Sequence, residues 1–82
     1  MTVEVRFFAG AAEAAGTPSR TVEVAPERTV ADLLAQLVGD DARLGKVVGA
    51  SSLLLDGTRV TDRGAAVGQA RQLDVLPPFA GG

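Results

Sequence analysis

The sequence predicts an α+β domain: a mixed sheet of four to five strands with one main helix packed on one face. Three observations carry this. Segments near both ends alternate apolar and polar residues with period two, as half-buried strands do. One segment, from Thr29 to Val38, repeats its apolar residues at helical spacing. An Asp-Gly pair between two apolar runs marks a tight hairpin.

The elements follow in chain order. In Thr2 to Phe8, Val3, Val5 and Phe7 fall on one face, and Thr2, Glu4, Arg6 and Phe8 on the other. That is a first strand. Residues 9–16 are Ala-rich and closed by Gly16, compatible with one or two helical turns or with a loop. Thr17-Pro18-Ser19 is turn chemistry. Thr21 to Val24 alternates again, with Val22 and Val24 inward, and pairs with the first strand across a wide connection. Pro26-Glu27-Arg28 ends it.

Thr29 then stands as an N-cap, with Asp32 at the positive end of the helix dipole. Val30, Leu33, Leu34, Leu37 and Val38 form one apolar stripe, read as core, and Gly39 suits the position after the last turn. Leu44, Val47 and Val48 keep helical spacing around Gly45, which leaves a short helix or a turn. Asp40-Asp41 is a solvated loop or a helix cap. Leu53 to Val60 is a hairpin, because Asp56-Gly57 suits a type I′ turn in which both central residues have positive φ. Residues 61–71 are a polar connection. Leu73 to Leu76 is the last strand. Pro77 and Pro78 have no N–H to give a ladder, so the sheet ends there. A helix between strand pairs, joined by a right-handed crossover, gives a β-grasp in the ubiquitin-like order, with the first and last strands parallel neighbours in the middle. The domain is expected over residues 1–76 and an extended tail over 77–82.

Composition excludes much. The chain has 82 residues, 46% apolar and 22% charged, with a net charge of -2 from 8 basic and 10 acidic residues. That is one small globular domain, without the basic face that nucleic acid or an anionic membrane selects. Cys and His are absent, which removes the thiol nucleophile, the cysteine metal site and the commonest general base. Chemistry run by its own side chains is not expected, nor is a bound metal or cofactor. No apolar run approaches the roughly 20 residues of a membrane span. The start, Met1 to Val5, has no basic n-region followed by an apolar h-region, so the cytoplasm is the expected compartment.

The chemistry is expected at the tail, Leu76-Pro77-Pro78-Phe79-Ala80-Gly81-Gly82. Two prolines favour an extended exit. The last four residues span roughly 13 Å at about 3.3 Å each. Gly81 and Gly82 carry no side chain and suit a narrow channel in another protein. The Gly82 carboxylate is then deliverable. A free carboxylate is a poor electrophile, so a partner must activate it, most directly as an acyl-adenylate made with ATP. Displacement of AMP by sulfur leaves a C-terminal thiocarboxylate, and a chain without Cys thereby carries sulfur on its main chain.

The ending Pro77-Pro78-Phe79-Ala80-Gly81-Gly82 resembles the Pro-Pro-x-Ala-Gly-Gly terminus of the small subunit of molybdopterin synthase. Val5 to Ala9 and on to Gly16 resembles that family's opening strand and short helix. The wider group is the ubiquitin-like sulfur carriers, including the thiamine-pathway carrier. The sequence departs from the family pattern at Ala12 and between Gly68 and Val75.

The resemblance implies that Gly82 is adenylated by a ubiquitin-activating-type adenylyltransferase that uses ATP, and that it receives sulfur from a persulfide-bearing sulfurtransferase. It implies insertion of the tail into the large subunit of molybdopterin synthase, in a heterotetramer, for conversion of cyclic pyranopterin monophosphate. It also implies a terminus at Gly82 that needs no proteolytic maturation. Two alternatives stay open: a carrier for thiamine or another sulfur-containing metabolite, and a ubiquitin-like binding module or protein modifier.

Pro77, Pro78, Phe79, Ala80 and Gly81 are the expected partner-binding residues, with Phe8. Phe79 is either an aromatic anchor in a partner groove or folded back on the sheet edge. Phe8, on the polar parity of its strand, either marks a partner-facing patch or caps the core. Arg59, Arg63 and Arg71 read as scattered surface arginines, with acidic partner groups as the alternative.

Overall fold

The computed structural model describes residues 1–78. The elements are β1 (Thr2–Phe7), α1 (Gly10–Ala15), β2 (Ser19–Glu23), α2 (Val30–Val38), α3 (Ala42–Ala50), β3 (Ser52–Leu55), β4 (Thr58–Arg59) and β5 (Gln72–Leu76). They form one five-stranded sheet in the order β2-β1-β5-β3-β4. β1 and β5 are parallel, with Val5 opposite Leu73 and Phe7 opposite Val75, and the other pairs are antiparallel. This is the expected β-grasp, with the first and last strands side by side at the centre.

Alternation decides which face is covered. Val3, Val5 and Phe7 on β1, Val22 on β2, Leu53 on β3 and Leu73 and Val75 on β5 are buried. They meet Ala11 of α1, Val30, Leu33, Leu34 and Leu37 of α2, and Leu44 and Val48 of α3 in one core. All three helices lie on that face, where the sequence pointed to one main helix. Leu33, Leu44, Leu53 and Leu73 are at most 2% exposed. Each such side chain contributes about 1.5–3 kcal/mol of transfer free energy.

Local chemistry sets the element ends. The Thr29 hydroxyl accepts from the Asp32 N–H at 3.0 Å, and the Asp32 carboxylate accepts from the Thr29 N–H at 3.1 Å. This is a capping box with Asp in the acidic position. The backbone bond from Thr29, with help from its side chain, holds the Asp32 carboxyl below its ordinary pKa. Asp41 caps α3 by accepting from the Leu44 N–H at 3.0 Å. Asp56 and Gly57 take φ of 48° and 82°, as the hairpin between β3 and β4 requires.

Two segments are settled by the structure. Of the short helix or turn expected around Gly45, the helix forms, and α3 continues to Ala50. A Cβ on Gly45 would lie 3.1 Å from Val38 Cγ1, so this glycine lets α3 approach α2 closely. The connection over residues 61–71 is not a free polar loop. It returns under α2, with Val30 N–H to Ala65 C=O at 3.0 Å and Val67 N–H to Arg28 C=O at 2.7 Å, and it buries Val67 and Ala70. No helix among the described residues is long and apolar enough to cross a membrane.

Candidate functional site

The site is built where β5 ends. Because β5 lies between β1 and β3, the chain leaving Leu76 departs from the middle of the sheet rather than from an edge. The Phe8 N–H donates to the Val75 carbonyl at 3.1 Å, close to the end of the parallel pair. Pro77 and Pro78 follow and donate nothing, so no ladder forms beyond this rung. Pro77 is half-buried and Pro78 exposed. The expected site residues Phe79, Ala80, Gly81 and Gly82 lie outside the described residues.

Two clefts flank this foot and share Pro77. The first, about 310 Å³, is lined by Phe8, Ala9, Leu76 and Pro77. The second, about 300 Å³, is lined by Gly10, Lys46, Val47, Ala50, Pro77 and Pro78. Apart from Lys46 these are apolar or small side chains. Phe8 is 39% exposed, one of two large apolar side chains so exposed among the described residues. Of its two readings the structure favours the surface patch, since odd-numbered β1 residues face the core and Phe8 does not. Ala9 takes φ 49° and ψ −126°, an uncommon conformation for a residue with a Cβ, where the chain breaks from β1 into α1.

Beneath Phe8 lies a pair that the sequence reading did not identify. Arg6 Nε and Nη2 donate to Asp74 Oδ1 and Oδ2 at 2.8 and 3.0 Å, and the same guanidinium sits 5.6 Å from the Phe8 ring centre. The Asp74 side chain is 9% exposed, and its hydrogen bond raises the Arg6 pKa further above its ordinary value. An Asp inside the apolar run Leu73 to Leu76 is the one sequence signal for it. A charge on a central strand needs a partner across the ladder.

The three arginines separate. Arg63 donates to the Ser51 carbonyl at 2.7 Å and reaches the Val48 carbonyl at 3.5 Å, closing the end of α3. It is a structural residue, not a scattered surface charge. Arg59 and Arg71 are exposed. α3 also supplies Lys46, Val47 and Ala50 to the foot of the tail, a contribution that its sequence periodicity does not reveal.

Comparison with known proteins agrees with this geometry. Residues 5–82 match the family described as the ThiS family. The small archaeal modifier protein 1 of Haloferax volcanii is 31% identical, with a TM-score of 0.84 over 100% of both chains. That of Methanosarcina acetivorans is 24% identical, with a TM-score of 0.78 over 99% of this chain and 96% of the other. A chain in the complex of subunits 1 and 2 of molybdopterin-converting factor from Helicobacter pylori is 20% identical, with a TM-score of 0.69 over 100% of both. The last two likenesses concern the fold. No curated protein matches the sequence significantly.

Proposed function

The chain belongs to the ThiS family of ubiquitin-like β-grasp carriers and modifiers, and from that premise we propose that it carries sulfur on its own C-terminus for molybdopterin formation. A partner adenylyltransferase joins the Gly82 carboxylate to AMP from ATP. The outer sulfur of a sulfurtransferase persulfide displaces AMP, and a second thiol then cleaves the resulting acyl disulfide, leaving the thiocarboxylate on Gly82 and a disulfide on the donor. The resulting thiocarboxylate attacks cyclic pyranopterin monophosphate in the large subunit of molybdopterin synthase. The observation that supports this most is the placement of Pro77-Pro78: they leave from the central strand, between two apolar clefts that offer a partner a grip beside the arm.

This chain's residues do no bond chemistry of their own in this scheme. The sheet anchors the arm, the prolines stiffen its exit, and Phe8 with Leu76 and Pro77 offers apolar area to the partner. The test is the intact mass of the protein after incubation with the adenylyltransferase, ATP and a persulfide donor. The mass should rise by the difference between one sulfur and one oxygen. An unchanged mass removes the proposal. Mixing the charged protein with the large subunit and its substrate should then yield molybdopterin; a product only in a thiamine-forming system would reassign the pathway.

A second reading, a protein modifier, is favoured by the 31% identity to the Haloferax modifier protein over the whole chain. It expects amide-linked adducts on other proteins after activation, where the first reading expects a thiocarboxylate.

A further inference from the structure

Phe8 is 39% exposed on the face of the sheet that the helices leave uncovered. A ring standing free there would sample several rotamers, and a partner gripping it would have to order it at a cost in affinity. The surroundings of Phe8 hold it instead. Its N–H donates to the Val75 carbonyl at 3.1 Å and its carbonyl accepts from the Ala11 N–H at 3.0 Å, so its backbone is fixed on both sides. Arg6 lies two residues earlier on β1, on the same face, and its guanidinium is 5.6 Å from the ring centre, within reach of cation–π attraction. That guanidinium is itself pinned, because Asp74, opposite Arg6 in the β1–β5 register, holds Nε and Nη2.

The needs of the fold explain only half of this arrangement. A nearly enclosed Asp74 requires a cation, but a β-strand needs no Asp at that position, and an uncharged pair in its place is commonly as stable. What the ion pair adds is a rigid, planar cation beside an exposed aromatic ring. We propose that Arg6, pinned by Asp74, is a positioning residue that presets the Phe8 ring in the orientation a partner grips. This rests on the reading of Phe8 as a contact for the large subunit, and it assigns part of the affinity to order already present in the free protein.

The test has one arm in the free full-length protein and one in the complex. By NMR, the wild-type protein should show a single χ1 rotamer for Phe8, with Arg6 side-chain protons shifted upfield by the ring. Phe8→Leu should return those protons to ordinary positions. Arg6→Thr with Asp74→Thr removes both charges together and places β-favouring residues that are too short to reach the ring. It should leave Phe8 averaging among rotamers. In titration calorimetry with the large subunit, the same double substitution should weaken binding about threefold. On a Phe8→Ala background it should change nothing. Arg6→Lys, which keeps the cation without the planar fork, should give the same changes at smaller size and replaces the Thr pair in both arms should that variant not fold.

Rotamer averaging in the wild-type protein would overturn the proposal, as would a Phe8 χ1 indifferent to loss of the pair. So would weakening of equal size with and without the Phe8 ring, since the pair would then act on the partner or the fold directly. Absence of any binding by the wild-type protein sinks the large-subunit reading, and the NMR arm then decides the positioning by itself.

Discussion

Arg6 and Asp74 face each other across the parallel β1–β5 pair, 68 residues apart in sequence, in a two-pronged ion pair with distances of 2.8 and 3.0 Å. The pair joins the first strand to the strand that releases the tail. Its acid is nearly enclosed and its base is half open, so losing either partner has unequal consequences. Arg6→Ala strands a buried carboxylate and should lower the urea midpoint more than Asp74→Asn, which keeps volume and one acceptor oxygen. A double-mutant cycle measured by urea unfolding should give a favourable coupling that weakens in high salt. Additive effects would mean that the pair is incidental.

Acid should expose the α2 cap. Native Asp32 has its pKa lowered by Thr29, so its contribution is present above the ordinary carboxylate range and is lost as pH falls through the folded-state value. Thr29→Ala should cost about 1 kcal/mol at neutral pH. The stability gap between wild type and Asp32→Ala, measured by urea titration from pH 7 downward, should narrow in acid. A gap independent of pH would contradict the cap's electrostatic part.

The β3–β4 turn and the core should respond on different scales. Gly57 sits at φ 82°, so Gly57→Ala should cost about 1 kcal/mol through backbone strain alone. Leu73→Ala empties a site on the central strand that is 0% exposed, and should cost about 2–5 kcal/mol. Both are readable as shifts in denaturant midpoint, and an order reversed from this would challenge the packing described for β5.

Function should separate from stability at the tail. Removing Gly82 should leave the unfolding midpoint unchanged and abolish thiocarboxylate formation, read by mass. Phe8→Ala should change stability by no more than about 0.5 kcal/mol, as surface changes do. If the patch is gripped, it should weaken binding to the large subunit. Phe79→Ala should cost about 2 kcal/mol of that binding if it is an anchor. Unchanged titration calorimetry for both would move the interface elsewhere.

Most of the elements are legible in the chain because their causes are local. The Thr29–Asp32 box, the Asp56-Gly57 turn, the Val3-Val5-Phe7 alternation and the Pro77-Pro78 stop each act within a few residues, where composition dictates backbone geometry. The β-grasp order follows from their sequence, since few connections join such elements without crossing.

What local pattern does not contain is distance across the chain. Arg6 meets Asp74 only once β1 and β5 pair in parallel. Gly45 reads as a helix breaker until α2 packs against it and its missing side chain becomes the reason for close approach. Lys46 is an ordinary surface lysine in sequence and stands beside Pro77-Pro78 only because α3 is laid against the end of the sheet. The sequence by itself determined the strands, the caps and a side-chain-poor terminus. Tertiary packing alone decided which residues surround the foot of that terminus, because such neighbours are chosen by register and helix docking rather than by anything within a few residues of them.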